Sequence, residues 1–246
     1  MLALTGSTSA FAAASAGLAG PHPAPFIPDA VWPAGTAQMV ARDAALYEEG
    51  DPSQHWYRLL SGTMRVFRVL RDGRRHISEL VFPGQFFGFE SGAMHHQSAE
   101  AIEPASVVAY SCERIEQRVA QDPAARQAIR ELLMERLAAA QERIMLLGRL
   151  NATGRLAAFL LTMAQRKPRV ANSAGPVAEL PMSRVDIADY LGLTVETVSR
   201  LFTALRGRGA VRLPTANRVE ILDPAALALA SAGTVDAGEP ELARCA

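Results

Sequence analysis

The ten residues Leu191-Gly-Leu-Thr-Val-Glu-Thr-Val-Ser-Arg200 restrict the folds open to this chain more than any other stretch. Thr194 suits the N-cap of a helix whose Val195, Val198, Leu201, Phe202 and Leu205 recur on one face. Gly192, just before it, can take the positive φ of a sharp interhelical turn. Upstream, Ser183-Arg-Val-Asp186 has the form of a capping box, a Ser side chain answered by an acid three residues later. Ala188 is small where two crossing helices would meet, and Val198 would plug the angle between them. The pattern predicts a helix-turn-helix. Glu196, Ser199 and Arg200 fall on the face turned from the core, where the second helix of such a motif meets base edges. The plain alternative is two short helices with Glu196 and Arg200 paired at i,i+4, worth about a few tenths of a kcal/mol.

With 246 residues, 49% of them hydrophobic, the chain suits two modest domains with packed cores. The net charge is zero but uneven: from Asn151 to Ala225, ten basic residues stand against six acidic ones, a net of +4. The basic residues bracket the expected reading helix, an electrostatic footprint for phosphates. The two cysteines, Cys112 and Cys245, cannot build a disulfide framework, a CxxC zinc site or a four-cysteine cluster. A reduced, cytoplasmic protein is the simplest inference. Either thiol would sense oxidants only if exposed and lowered in pKa, so structural roles are expected of both.

Residues 1–28 contain no charged side chain, and Phe11–Ala19 is mildly apolar with small residues at its end. No positive segment precedes it, so residues 1–36 are read as a poorly ordered tail and not as a signal peptide. No stretch approaches the roughly 20 apolar residues of a bilayer span, and no membrane partner is expected. A nucleophile–base set, a P-loop and an HExxH motif are all lacking, so no catalytic residue is assigned and the chain is not read as an enzyme. His76, His95 and His96 invite a metal or haem reading. The vicinal pair lacks helical i,i+4 spacing and a nearby cysteine, so surface histidines, no metal and no cofactor are expected.

Between residues 37 and 121 the pattern is short strands punctuated by glycine. Gly50, Gly62, Gly73 and Gly84 recur at intervals of 12, 11 and 11 residues. Thr63–Leu70 alternates as a half-buried strand, Asp72-Gly73 marks a turn, and Ser106–Tyr110 is a further strand. A compact antiparallel barrel or roll follows. Asp122-Pro123 then opens a helix, expected over 122–150. Its Leu133, Leu137, Ala140, Ile144 and Leu147 are spaced 4-3-4-3, the period of a seam between two helices. A helix that packs only on its own roll is the alternative. A palindrome reader needs two reading helices roughly 34 Å apart, which favours a homodimer joined along this seam. A second amphipathic helix, with Leu156, Phe159, Leu160 and Met163, opens the domain assigned to 151–225. The stretch 168–181 reads as a loop. Ala210–Leu213 and Val219–Leu222 read as the two strands of a wing, and residues 226–246 as a tail that frays.

Roll, long helix and winged helix-turn-helix, in that order, resemble the CRP/FNR family of bacterial transcription regulators over roughly Met39 to Leu222. The most specific stretch is Met182–Arg200, supported by Arg155–Leu160 and Phe82–Gly88. The expected class is therefore α+β: an N-terminal antiparallel β-roll, a long dimerisation helix and a C-terminal winged helix-turn-helix. Val195 beside Glu196, where the CRP group carries Arg, looks like the FNR and FixK type. The resemblance implies a TTGAT-N4-ATCAA-like palindrome, activation through RNA polymerase, and genes for low-oxygen respiration, denitrification or nitrogen fixation.

Val195, Glu196, Ser199 and Arg200 would then read bases. Ser183, Arg184, Thr194, Thr197, Arg206, Arg208, Arg212 and Arg218 are candidates for the DNA backbone. Cyclic-nucleotide-binding members carry Gly-Glu for the ribose and Arg-Ser for the phosphate. This chain has Gly88-Phe89 and Gln97-Ser98 there, which argues against cyclic AMP. The N-terminal cysteines of the cluster-bearing members are also missing, a combination that resembles the FixK-type subgroup. Two alternatives stay open: the same fold gated by an unidentified small molecule or a haem or redox signal, and a cyclic-nucleotide-binding regulatory protein.

Overall fold

A computed structural model describes residues 31–90, 92–166 and 175–233. The alternating stretch around Thr63–Leu70 becomes one strand of an antiparallel roll. The strands are β1 (Thr36–Val40), β2 (Ala45–Tyr47), β3 (His55–Ser61), β4 (Met64–Val69), β5 (Arg75–Val81), β6 (Phe86–Phe87), β7 (Ser98–Ala101) and β8 (Ala105–Ser111). They form two four-stranded sheets, ordered β1-β8-β3-β6 and β2-β7-β4-β5. The four recurrent glycines lie in the successive connections from β2 to β6. Gly62 shows why the residue is needed. Its φ is +86°, and a Cβ there would stand 2.6 Å from Pro104 O and 2.7 Å from Ala105 Cα. Leu59, Met64, Val66, Val81, Phe87 and Val107 fill the space between the sheets.

Helix α1 (Cys112–Gln121) leads into α2 (Pro123–Arg149), which starts as the sequence suggests. The Asp122 side chain accepts from Ala124 N–H at 2.9 Å and Pro123 takes the first turn. A second apolar cluster joins both helices to the roll through Trp32, Phe86, Tyr110, Ile115, Ile129 and Leu132. The Trp32 ring stacks on Phe86 with centroids 4.2 Å apart. Residues 31–36 therefore do not belong to the expected tail, because one tryptophan, 7% exposed, anchors them. The rest of that tail, residues 1–30, lies outside the described residues.

The C-terminal module holds α3 (Ala152–Gln165), β9 (Val177–Glu179), α4 (Arg184–Leu191), α5 (Val195–Gly207), β10 (Val211–Thr215), β11 (Arg218–Ile221) and α6 (Pro224–Ser231). β10 and β11 form the expected wing, and β9, inside the stretch read as a loop, adds a third strand in the order β10-β11-β9. Helix α6 corrects the reading of 226–246 as a frayed tail. Asp223 caps it by accepting from Ala226 N–H at 2.9 Å, and Leu227 is fully buried. Its backbone approaches α3 so closely that a Cβ on Gly154 would stand 2.8 Å from Ala230 O. Covered by α6, α3 buries Ala157, Ala158 and Leu161 as well as the expected Leu156, Phe159, Leu160 and Met163. It is a core helix, not an amphipathic one. Residues 234–246, with Cys245, lie outside the described residues.

The largest apolar cluster is continuous across the two halves of the chain. Ile77, Leu80, Phe82 and Ile102 of the roll join Leu160, Ile187, Tyr190 and Leu191 of the C-terminal module. Among the described residues, no helix is long and apolar enough to cross a membrane.

Candidate nucleic-acid interface

The reading motif is built from local rules. Asp186 N–H donates to Ser183 Oγ at 3.1 Å, and Ser183 N–H donates to Asp186 Oδ2 at 3.0 Å, a reciprocal capping box at the start of α4. Gly192 ends α4 with φ 64° and ψ 42°, the left-handed conformation that sends the chain into the next helix. Thr194 caps α5, its Oγ1 accepting from Thr197 N–H at 3.2 Å. Val198, Phe202 and Leu205 are buried beneath α5, and Leu201 is half-buried.

Glu196, Ser199 and Arg200 are exposed on the first two turns of α5. Glu196 and Arg200 make no ion pair, with each other or with any other of the described residues, so the i,i+4 alternative is not formed. The Ser199 hydroxyl donates to Val195 O at 2.8 Å, within its own helix. Val195 is half-buried against the core and offers only part of its side chain to the surface.

The backbone candidates differ in how free they are. Arg206 and Arg208 are exposed near the C-terminal end of α5. Arg212 on the wing donates through Nε to Glu220 Oε2 at 2.8 Å, which offsets its charge locally. Arg218 is half-buried on the neighbouring strand. Arg184 lies with its guanidinium 3.3 Å from the Phe202 ring centroid and reaches Ala216 O at 3.5 Å, bracing the wing against α5. Burial lowers its pKa from the usual arginine range. Ser183 spends its hydroxyl on the cap, and the Thr194 and Thr197 hydroxyls lie 3.0 Å apart.

On α2 the expected seam faces outward. Leu133, Leu137 and Ile144 are 42%, 50% and 69% exposed, Ala140 is exposed and Leu147 half-buried. The adjoining face, with Ile129 and Leu132, packs on the roll of the same chain. One helix thus carries a used apolar face and a bare one.

In the roll, the positions expected to lack nucleotide chemistry are filled by their own neighbours. Phe89 meets Trp56 edge-on at 4.7 Å and lies under the Arg136 guanidinium, which itself pairs with Glu79. Gln97 Oε1 accepts from Ser78 Oγ at 3.0 Å, and Ser98 Oγ accepts from Glu49 N–H at 2.9 Å.

His95 corrects the expectation of surface histidines. It is 1% exposed and stacks on Tyr47 with ring centroids 3.7 Å apart, with Glu90 Oε1 3.5 Å from its Nδ1. Burial lowers its pKa, against the opposing pull of Glu90. His96 is exposed and His76 half-buried. No cluster of three metal-binding side chains occurs among the described residues. Cys112 is half-buried and burial raises its pKa, which keeps it a thiol.

Sequence reading missed the arginines that hold this motif from outside. Arg155 of α3 donates to Leu147 O at 2.8 Å, Leu150 O at 3.0 Å and Leu191 O at 3.1 Å, joining the end of α2 to the end of α4. Its partners are backbone carbonyls, which no residue pattern announces.

Comparison with known proteins agrees with this layout. Residues 154–230 match the Crp-like helix-turn-helix domain, and residues 37–122 match the cyclic nucleotide-binding domain. The chain is 37% identical to the nitrogen fixation regulation protein FixK of Azorhizobium caulinodans, covering 78% of each chain. It is 38% identical to the protein of the same name from Rhizobium meliloti, covering 74% of this chain and 81% of that one. The solved structure of FixK2 from Bradyrhizobium japonicum superposes with a TM-score of 0.73 at 35% identity, over 79% of this chain and 96% of that one.

Proposed function

The chain belongs to the CRP/FNR family and is FixK-like within it, and on that footing we propose that it reads palindromic DNA as a homodimer to regulate transcription. The observation that carries this is the exposed set Glu196, Ser199 and Arg200 on the first turns of a firmly capped helix, its two charged members without an ion-pair partner among the described residues. Arg200 can present a bidentate fork to guanine O6 and N7, and Glu196 can accept from cytosine N4. Ser199 reaches a base edge or phosphate once its hydroxyl leaves Val195 O. The exposed part of Val195 suits a thymine methyl. A TTGAT-N4-ATCAA duplex supplies these groups in each half-site.

The bare seam Leu133, Leu137, Ala140 and Ile144 joins two copies and doubles the reading helix, as a two-fold palindrome requires. The regulator acts as an activator that contacts RNA polymerase, in low-oxygen, denitrification or nitrogen-fixation control. The printed names of the relatives support the last of these. Phe89 and Gln97, engaged with their own neighbours, leave neither a ribose acceptor nor a phosphate cation. The protein therefore binds DNA without cyclic AMP.

The test is titration of purified protein with the TTGAT-N4-ATCAA duplex against a scrambled competitor, at stated salt and with no added effector. Specific binding is expected, tighter than to the competitor by about a thousandfold or more. Equal affinity for both duplexes would overturn sequence-specific reading without an effector and favour a gated regulator.

A further inference from the structure

Arg65 has an address that the roll alone does not explain. Its neighbours on β4, Met64 and Val66, point into the roll interior, so Arg65 points out. It is nevertheless only 9% exposed. What covers it is α4, the first helix of the reading motif. Arg65 Nη1 donates to Asp186 Oδ1 at 3.0 Å, while its Nη2 meets Glu100 and lies 3.4 Å from Asp43 Oδ1. Arg75 on β5 donates to the same Asp186 Oδ1 at 2.7 Å and, through Nε, to Asp189 Oδ2 at 2.8 Å.

The two aspartates are three residues apart and share one face of α4. The other end of α4 is held as firmly. Arg143 of α2 donates to Tyr190 O and, at 3.0 Å, to Ile77 O of the roll, with its guanidinium 3.7 Å from the Tyr190 ring centroid. Together with Arg155 on Leu191 O, arginines from four different elements grip one eight-residue helix. Asp186 in its first turn and the cations at its C-terminal carbonyls both suit its dipole.

We propose that Arg65 and Arg75 are positioning residues for DNA reading, an electrostatic latch through Asp186 and Asp189 that sets the reading module on its own roll. This rests on the DNA-reading function proposed above. Because α5 packs on α4 through Val198 and Phe202, fixing α4 fixes the direction of the reading helix relative to α2. In a dimer joined along α2, that direction sets the separation of the two reading helices. With the latch closed, Glu196, Ser199 and Arg200 remain uncovered, so the held pose is a reading pose. Charges of the chain itself thereby do the work that an effector would do in a gated regulator.

A mutant cycle on the outer pair tests this in the full-length protein, with Arg75→Gln, Asp189→Asn, the double variant and Arg75→Lys. The readouts are affinity for the TTGAT-N4-ATCAA duplex across salt concentrations, sedimentation for the dimer, and amide hydrogen exchange without DNA. Each Gln or Asn variant is expected to lose roughly three- to thirty-fold in specific affinity, and the double variant no more than the worse single. Arg75→Lys recovers part of the loss, and the salt slope and the dimer stay as in the parent. Without DNA, α4 exchanges faster in each single variant and no faster in the double.

Parental affinity in both single variants, or multiplied losses in the double, overturns the latch. A salt slope shallower by about 0.9 in Arg75→Gln overturns it too, since Arg75 would then be a phosphate contact. If the parent itself shows no preference for the duplex, the DNA-reading proposal fails. The exchange data still decide the latch, and unchanged α4 exchange in the variants sinks it.

Discussion

Asp186 serves two masters with its two oxygens: Oδ2 closes the cap on Ser183, and Oδ1 lies 2.7 Å from Arg75 Nη2. A local helix-start signal and a contact between distant parts of the chain therefore converge on one carboxylate, whose side chain is 4% exposed. Removing the two functions separately should give different losses. Ser183→Ala removes only the cap and is expected to cost about 1 kcal/mol. Asp186→Ala also takes a carboxylate from Arg65 and Arg75 together, leaving Arg65 with Glu100 and Asp43, and is expected to cost about 1.5–3 kcal/mol beyond the cap. Urea unfolding of both variants measures the difference; equal midpoints would mean that the ion pairs add nothing to stability.

Gly192 is a purer case of backbone demand. A Cβ there meets only Arg155 Nη1, at 3.6 Å, so space is not the obstacle. The obstacle is the φ of 64°, which an L side chain occupies at a cost of about 1–2 kcal/mol. Gly192→Ala should lower the unfolding free energy by that amount, and Gly192→Asn by less, since Asn tolerates the left-handed region. If alanine and asparagine were equal, strain at this turn would not be what selects glycine.

These two residues show what could be read from the sequence and what could not. Ser183, Asp186, Gly192 and Thr194 obey rules that span three or four positions, and the motif they build was legible at once. The glycine rhythm of the roll is local in the same way. The latch joins positions 121 residues apart, and nothing near Arg65 on β4 distinguishes it from a solvated surface arginine. Trp32 is legible only once its ring finds a surface to bury against, whereas α6 carries a local signal, Asp223-Pro224, the same start that opens α2 at Asp122-Pro123. The amphipathic pattern of α3 understates its burial, because α6 covers the face that the sequence alone would leave to solvent.

Arg200 is the sharpest test of base reading. It is exposed and has no ion-pair partner among the described residues, so its removal leaves no buried charge behind. Arg200→Ala should leave folding within about 0.5 kcal/mol of the parent. Discrimination at the half-site guanine should fall by about 1–3 kcal/mol. Competition with duplexes varied at that single base pair measures this. A uniform loss across all duplexes would make Arg200 a phosphate contact instead.

The seam predicts a separation between assembly and folding. Leu137 and Ile144 are 50% and 69% exposed in the single chain, so a charge at either should barely disturb the fold of one protomer. Leu137→Glu with Ile144→Glu would place like charges against each other across a two-fold seam. Sedimentation should then report monomers, with circular dichroism unchanged and palindrome binding lost. A variant that still sediments as a dimer would move the interface away from this face of α2.

His95 gives the roll a pH dependence of definite sign. Burial holds its folded pKa below the ordinary value of 6.5, while Glu90 and Asp51 pull upward and His96 adds to the lowering. Between those two values the unfolded chain binds more protons than the folded one, so stability rises with pH there. As pH falls through 6.5, the unfolded histidine gains its proton first and the roll loses stability, until the folded pKa is passed and the loss levels off. His95→Phe keeps the stacking on Tyr47 but removes the proton site. Thermal midpoints from pH 8 to pH 5 should fall less steeply in this variant than in the parent. Parallel curves would show that the ring's proton equilibrium does not differ between the folded and unfolded chain.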